Sequence, residues 1–174
     1  MAAPLPPYPA FGPVARLGLG ILRPWFGDAV TIGTQIPADL SDKMPFILVR
    51  ADRRTGRESG VSQDERFLRT SLLSVEAFTS GLNAESDGFD IEESARMAIY
   101  HAWRNQIVVP GAGSIAAITS TTDIARVSDY ATSTGVVQYA SLPKGTVRHE
   151  GVYQLLVRPP KGGTANRFIP SQYA

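Results

Sequence analysis

Pro45-Phe-Ile-Leu-Val-Arg50, Leu72-Leu-Ser-Val-Glu-Ala-Phe78 and Ile91-Glu-Glu-Ser-Ala-Arg-Met-Ala-Ile-Tyr100 are the runs, all within Pro45 to Ile107, whose reading decides the fold. The first is an uninterrupted series of β-branched, aliphatic and aromatic residues behind a proline, the pattern of a short buried strand. From Thr70 to Phe78, Leu73, Val75 and Ala77 alternate with Ser74 and Glu76, which predicts a strand with one wetter face. The two strands make an antiparallel hairpin. The third run predicts a long helix: Ile91, Ala95, Ala98, Ile99 and Ala102 share one face, leaving Glu92, Arg96 and Arg104 for solvent or a partner. Asp90 and Glu93 have the spacing of a capping box at its start, and Pro110 with the following glycines ends it.

The chain has 174 residues, 43% of them hydrophobic, with a formal net charge of +1. That length and composition predict one α+β domain with a real core. The near balance of charge gives no long-range field for nucleic acid or an anionic membrane, although a local basic patch stays open. Cysteine is absent, so disulfides and thiolate metal sites are excluded. With two histidines far apart, a zinc site would need carboxylates gathered by folding, and the ligand spacing is missing. No run approaches the roughly 20 apolar residues that span a bilayer. A soluble protein without a secretory signal is therefore expected, since prolines at 4, 6, 7, 9 and 13 interrupt the N-terminus.

Outward toward the N-terminus, residues 1–13 form a proline-rich arm. It is either a loose tail or an extended arm that docks on a neighbouring subunit through Tyr8 and Phe11. Val14, Leu17 and Ile21 share a helical face, so a short helix is expected over Val14 to Leu22, stopped by Pro24. Its Leu-Gly-Leu-Gly-Ile segment follows no strand and lacks the rest of a dinucleotide fingerprint, and its glycines read as close packing. Val30, Ile32, Thr34 and Ile36 alternate, predicting a strand over Asp28 to Ile36. Ala38 to Met44 reads as a polar connection.

The connection between the central strands, residues 51–69, exceeds the about two to five residues usual in a hairpin. It carries Arg53, Arg54, Arg57 and Arg66 among acidic residues. It is either a solvated excursion or a contact element facing a partner subunit or a DNA-filled channel. Mixed signs argue against a phosphate clamp, and neither this loop nor Pro143-Lys144-Gly145-Thr146 has the spacing of a phosphate-binding loop. Beyond the long helix, Ser114 to Thr119 predicts a strand, Asp123 caps a helical turn over Ile124 to Val127, and Val136 to Tyr139 adds an edge segment. Gly151 to Arg158 predicts a strand stopped by prolines. Residues 159–174 form a second arm, free or anchored on a neighbour through Phe168, Ile169 and Tyr173. The expected architecture is thus a mixed or antiparallel sheet of about four to five strands, packed against a long helix and a short N-terminal helix, within residues 14–158 and with extended terminal arms.

No chemistry is legible in these elements. His101 has no nucleophile motif around it, and reads as a surface or interface histidine. His149 and Glu150 could pair as base and orienter, but adjacency in a strand sends them to opposite faces. Asp87, Asp90, Glu92 and Glu93 are accounted for by helix capping. No catalytic residue, metal or cofactor is assigned.

The runs quoted at the outset, with Tyr153-Gln-Leu-Leu-Val-Arg158, resemble the tail terminator proteins of long, non-contractile-tailed bacteriophages, particularly those of actinobacterial hosts. The resemblance covers residues 14–158 and consists of patterns of residue type. It implies a small α+β subunit of a homo-oligomeric, hexameric ring that caps the finished tail tube at the tail–neck junction of the virion, assembled in the host cytoplasm. One ring face would meet the major tail tube protein and the other the head–tail connector or stopper. DNA would pass through the lumen without sequence-specific binding, and no membrane is involved. The proline-rich start, the arginine-bearing loop and the C-terminal extension depart from simpler members. A head-closure or connector ring of the phage neck is the alternative from the same particle, and a small hydrolase the alternative from another class.

Overall fold

The computed structural model describes residues 11–52, 68–127 and 142–160. Its elements run α1 (Val14–Phe26), β1 (Thr31–Gly33), α2 (Leu40–Lys43), β2 (Phe46–Ala51), β3 (Arg69–Thr79), α3 (Ala84–Arg104), β4 (Val108–Val109), β5 (Gly113–Thr121), β6 (Ala125–Arg126) and β7 (Val147–Arg158). The strands form one seven-stranded sheet in the order β1-β2-β3-β7-β5-β4, with β6 also on β7. Among the described strands only β1 and β2 run parallel; β2–β3 is the expected antiparallel hairpin, with Phe46 opposite Phe78 and Val49 opposite Val75. The fold is α+β with a mixed sheet. The sheet has more strands than the four to five expected because β4 and β6 are two residues each, too short to leave a periodic signal.

Both long helices lie on one face of this sheet. Leu17 and Leu22 of α1 and Ala95, Ala98, Ile99 and Ala102 of α3 share a core with Ile47, Val49, Leu73, Val75, Leu155 and Val157. Each large side chain buried there contributes roughly 1.5 to 3 kcal/mol. Gly18 lets α1 approach, since a Cβ would stand 2.7 Å from Val49 Cγ1. The opposite face carries a smaller cluster, Leu40, Phe46, Leu48 and Phe78, joined by Ile36, Met44 and Leu142. Successive side chains of β3 thus feed different cores, as strand geometry requires.

Several local expectations are corrected. The long helix begins at Ala84 with Asn83 as its N-cap, so Asp90 and Glu93 lie within it and form no capping box. It ends at Arg104, before Pro110. Helix α1 continues through Pro24 to Phe26, because Trp25 donates from Nε1 to Ser94 Oγ at 3.1 Å and Phe26 packs on the core. The strand expected over 28–36 is only Thr31–Gly33: Val30 and Ile32 enter the helix-side core, whereas Ile36 packs with the opposite cluster. Leu40–Lys43, expected as connection, is a single helical turn. Residues 125–126 are strand, not a turn capped by Asp123. The edge segment expected at Val136 to Tyr139 lies outside the described residues.

Candidate functional site

The sheet face expected to be wet is instead where the fold buries charge. Ser74 and Glu76 of β3 are 0% and 1% exposed, and Arg148 and Glu150 of β7 are 3% and 8% exposed. Glu76 lies between Leu48 and Glu150 in the ladders. Its carboxylate pairs with Arg50 Nη2 and stands 3.5 Å from Arg148 Nη1, while Ser74 Oγ donates to Glu150 Oε1 at 2.9 Å. These cross-strand pairs join β2, β3 and β7. Removal of one partner would leave a buried charge behind, the costly half of such a network.

Across the sheet, Glu92 projects from α3 onto β3 and β7 and is fully buried. This corrects its assignment to the solvent face: the buried side of α3 includes Ala84, Gly88 and Glu92 with the alanines. Burial raises the Glu92 carboxyl well above the usual carboxylate range, helped by Glu76 and Glu150 and only partly offset by the Ala77 backbone. The neutral acid is the form the fold prefers. Gly151 makes room for it, since a Cβ there would stand 3.3 Å from Glu92 Oε2 and 3.1 Å from the Tyr153 hydroxyl. Tyr153 is pushed far up by the same burial and by Glu92.

The candidate acid–base groups do not converge. His149 faces α3, where Gly88 leaves space for its ring and Nε2 stands 3.5 Å from Glu85 Oε1. Glu85 also pairs with Arg126 Nη1 at 2.9 Å. Glu150 lies on the other side of the sheet with Ser74, as strand alternation predicts. His101 is exposed, packs 5.4 Å from the Trp25 ring, and contacts Asn105 Nδ2 through Nδ1 at 3.1 Å. Glu93 pairs on the outside of α3 with Arg96, which holds its carboxyl below the usual range. Among the described residues no cluster of three or more metal-ligating side chains occurs, and no helix is long and apolar enough to cross a membrane.

Of the contact residues read from the sequence, Phe11 alone is described. Its ring lies 5.8 Å from the Arg69 guanidinium of the same subunit, so the end of the proline-rich arm is laid against its own chain. Tyr8, Arg53, Arg54, Arg57, Arg66, Phe168, Ile169 and Tyr173 lie outside the described residues.

The outer surface offers features that sequence patterning did not separate from the core. Leu82, Phe89 and Met97 are exposed on and before α3, and Val108 on β4. Strand β4 covers only Gly113 and Ser114 of β5. Beyond them the outer edge of β5 has no strand partner among the described residues, although Trp103 Nε1 donates to Ala116 O at 3.1 Å. Register shifts after Ile115 and Ile118 bend this strand. A cleft of about 350 Å³ opens where β2 begins and β3 ends, lined by Val30, Met44, Pro45, Ser80, Asp87, Asp90 and Ile91 among others. Comparison with protein-family models and with curated proteins gives no match.

Proposed function

We propose that this chain is a structural virion protein of the tail-terminator kind. Copies close into a ring, hexameric by the resemblance, that caps the tail tube and joins it to the head-side connector around the DNA channel. The observation that carries this reading is the placement of the segments on which the resemblance rests. β2, β3 and β7 are adjacent strands, and α3 packs on β3 and β7, so those segments form one continuous centre and not scattered matches. The exposed apolar side chains of α3 and β4 and the open edge of β5 are of the kind that subunit contacts use. Buried polar groups of β3 and β7 pair across the strands, which fits a scaffold whose work is done at its surface. The protein acts without catalysis, at the tail–neck junction, with itself, the tail tube protein and the connector or stopper as partners.

Gold-labelled antibody against the protein, applied to intact particles and to separated heads and tails, tests the assignment. Label at the head-proximal end of free tails is the expected result. Label remaining on tailless heads would shift the assignment to a head-closure protein, and absence of label from particles would overturn a structural role.

A further inference from the structure

We infer that the outer face of α3 pairs antiparallel with the same face of a second copy, with Phe89 of one helix against Met97 of the other across a two-fold axis at Glu93. The contact goes beyond the proposed ring and does not depend on it, because an isologous contact uses one patch twice and leaves the sheet edges to other neighbours. Helix α3 has 21 residues, about 30 Å of helix. Its inward side is occupied by Glu92 and the alanines. On the outward side Phe89 and Met97 are 49% and 53% exposed, and Leu82, just ahead of the helix, is fully exposed. With Tyr100 half-buried beside them, these side chains make an apolar stripe of the kind that a partner covers.

Spacing and charge select a second copy as that partner. Phe89 and Met97 each lie four residues from Glu93, about 6 Å along the axis in either direction and on the same helix face. Turning the helix end over end about Glu93 puts Phe89 where Met97 was, so the stripe is its own complement, and thioether against aromatic ring is a favourable contact. The two Glu93 side chains meet at the axis, but each already holds an Arg96 guanidinium, whose Nε donates to Glu93 Oε2 at 2.7 Å. Two acids and two bases therefore share the centre with no net charge. The helix ends favour the same orientation. The first turn of α3 carries Glu85 and Asp87 and the last turn carries Arg104, so the antiparallel pair sets each basic end beside an acidic one and opposes the helix dipoles. A parallel pair would set acid against acid. One helix pair is at the small end of specific interfaces, which makes the association concentration-dependent.

Single cysteines test the register without background, since the chain has none. Packed helix axes lie about 8 to 10 Å apart, which brings facing Cα atoms within disulfide range. Under mild oxidation Glu93→Cys should link to itself, whereas Lys43→Cys, exposed on α2, should stay monomeric at the same concentration. Phe89→Cys mixed with Met97→Cys should give covalent dimer faster than either variant alone. Sedimentation velocity supplies the second arm: F89D/M97D should weaken association about tenfold or more. Its circular dichroism melt in dilute samples, where copies are apart, should match the wild type because both side chains face solvent. Cross-linking of Glu93→Cys no faster than of Lys43→Cys, or Phe89→Cys linking to itself as readily as to Met97→Cys, would overturn the antiparallel pairing. Association unaltered in F89D/M97D would overturn the use of this face between copies.

Discussion

Glu92 shows how a single side chain can oppose its sequence pattern. Its neighbours Glu93 and Arg96 are paired at the surface, but its own position falls on the line of Ala84 and Gly88, so the helix carries it inward. Because the folded carboxyl titrates above its unfolded value, its contribution to stability is fully present below the ordinary carboxylate range and is lost as pH rises toward the raised value. Glu92→Gln removes this titration while keeping the shape. Urea unfolding from about pH 5 to about pH 8 should show the variant gaining on the wild type as pH rises; parallel pH profiles would contradict burial of a neutral acid. Gly88 is the complementary case. A methyl group there would overlap the His149 ring and stand 3.1 Å from Thr79 Oγ1, so Gly88→Ala should cost about 1 to 3 kcal/mol by overpacking, despite the better helix propensity of alanine. A stabilised variant in chemical denaturation would show that α3 does not rest on this contact. Neither role is legible in the sequence, since both depend on what β7 places opposite the helix.

At the scale of elements, legibility follows the length of the repeating pattern. β2, β3 and the apolar stripe of α3 repeat long enough to be read, and the hairpin pairs Ile47 with Ala77 and Val49 with Val75 as the alternation requires. The start of α3 was hidden because Asn83, Ser86, Asp87 and Gly88 are weak helix formers, and tertiary contacts supply what propensity lacks. Thr79 Oγ1, for example, donates to Ala84 O at 2.6 Å. The wet face assigned to Ser74 and Glu76 failed for a different reason: their partners Arg50, Arg148 and Glu150 come from β2 and β7, and charge pairing across strands has no periodicity within one strand. The same helix allows a direct test of which face is packed. Ile99 is fully buried and Met97 is 53% exposed. Ile99→Ala should lose about 2 to 5 kcal/mol, and Met97→Ala should fall within about 0.5 kcal/mol of the wild type. Equal losses in thermal or urea unfolding would mean that the outer face of α3 is covered as well.

For the whole molecule, the fold class was legible in the sequence. The cleft with Asp87 and Asp90 joins segments distant in the chain, Val30, Met44 and Ile91, and no local pattern announces it. The exposed Phe89 and Val108 were likewise indistinguishable from core residues until the helices and sheet were assembled. What unites these features is a scaffold whose interior is occupied by strand-to-strand and helix-to-sheet contacts, leaving the edge of β5, a cleft with two aspartates and apolar side chains exposed. The most direct measurement is electron microscopy of purified tail tubes after incubation with the protein. The account predicts a closed ring seated on one end of each tube, with an open lumen and no further tube growth at that end. Bare tube ends beside monomeric protein would contradict it.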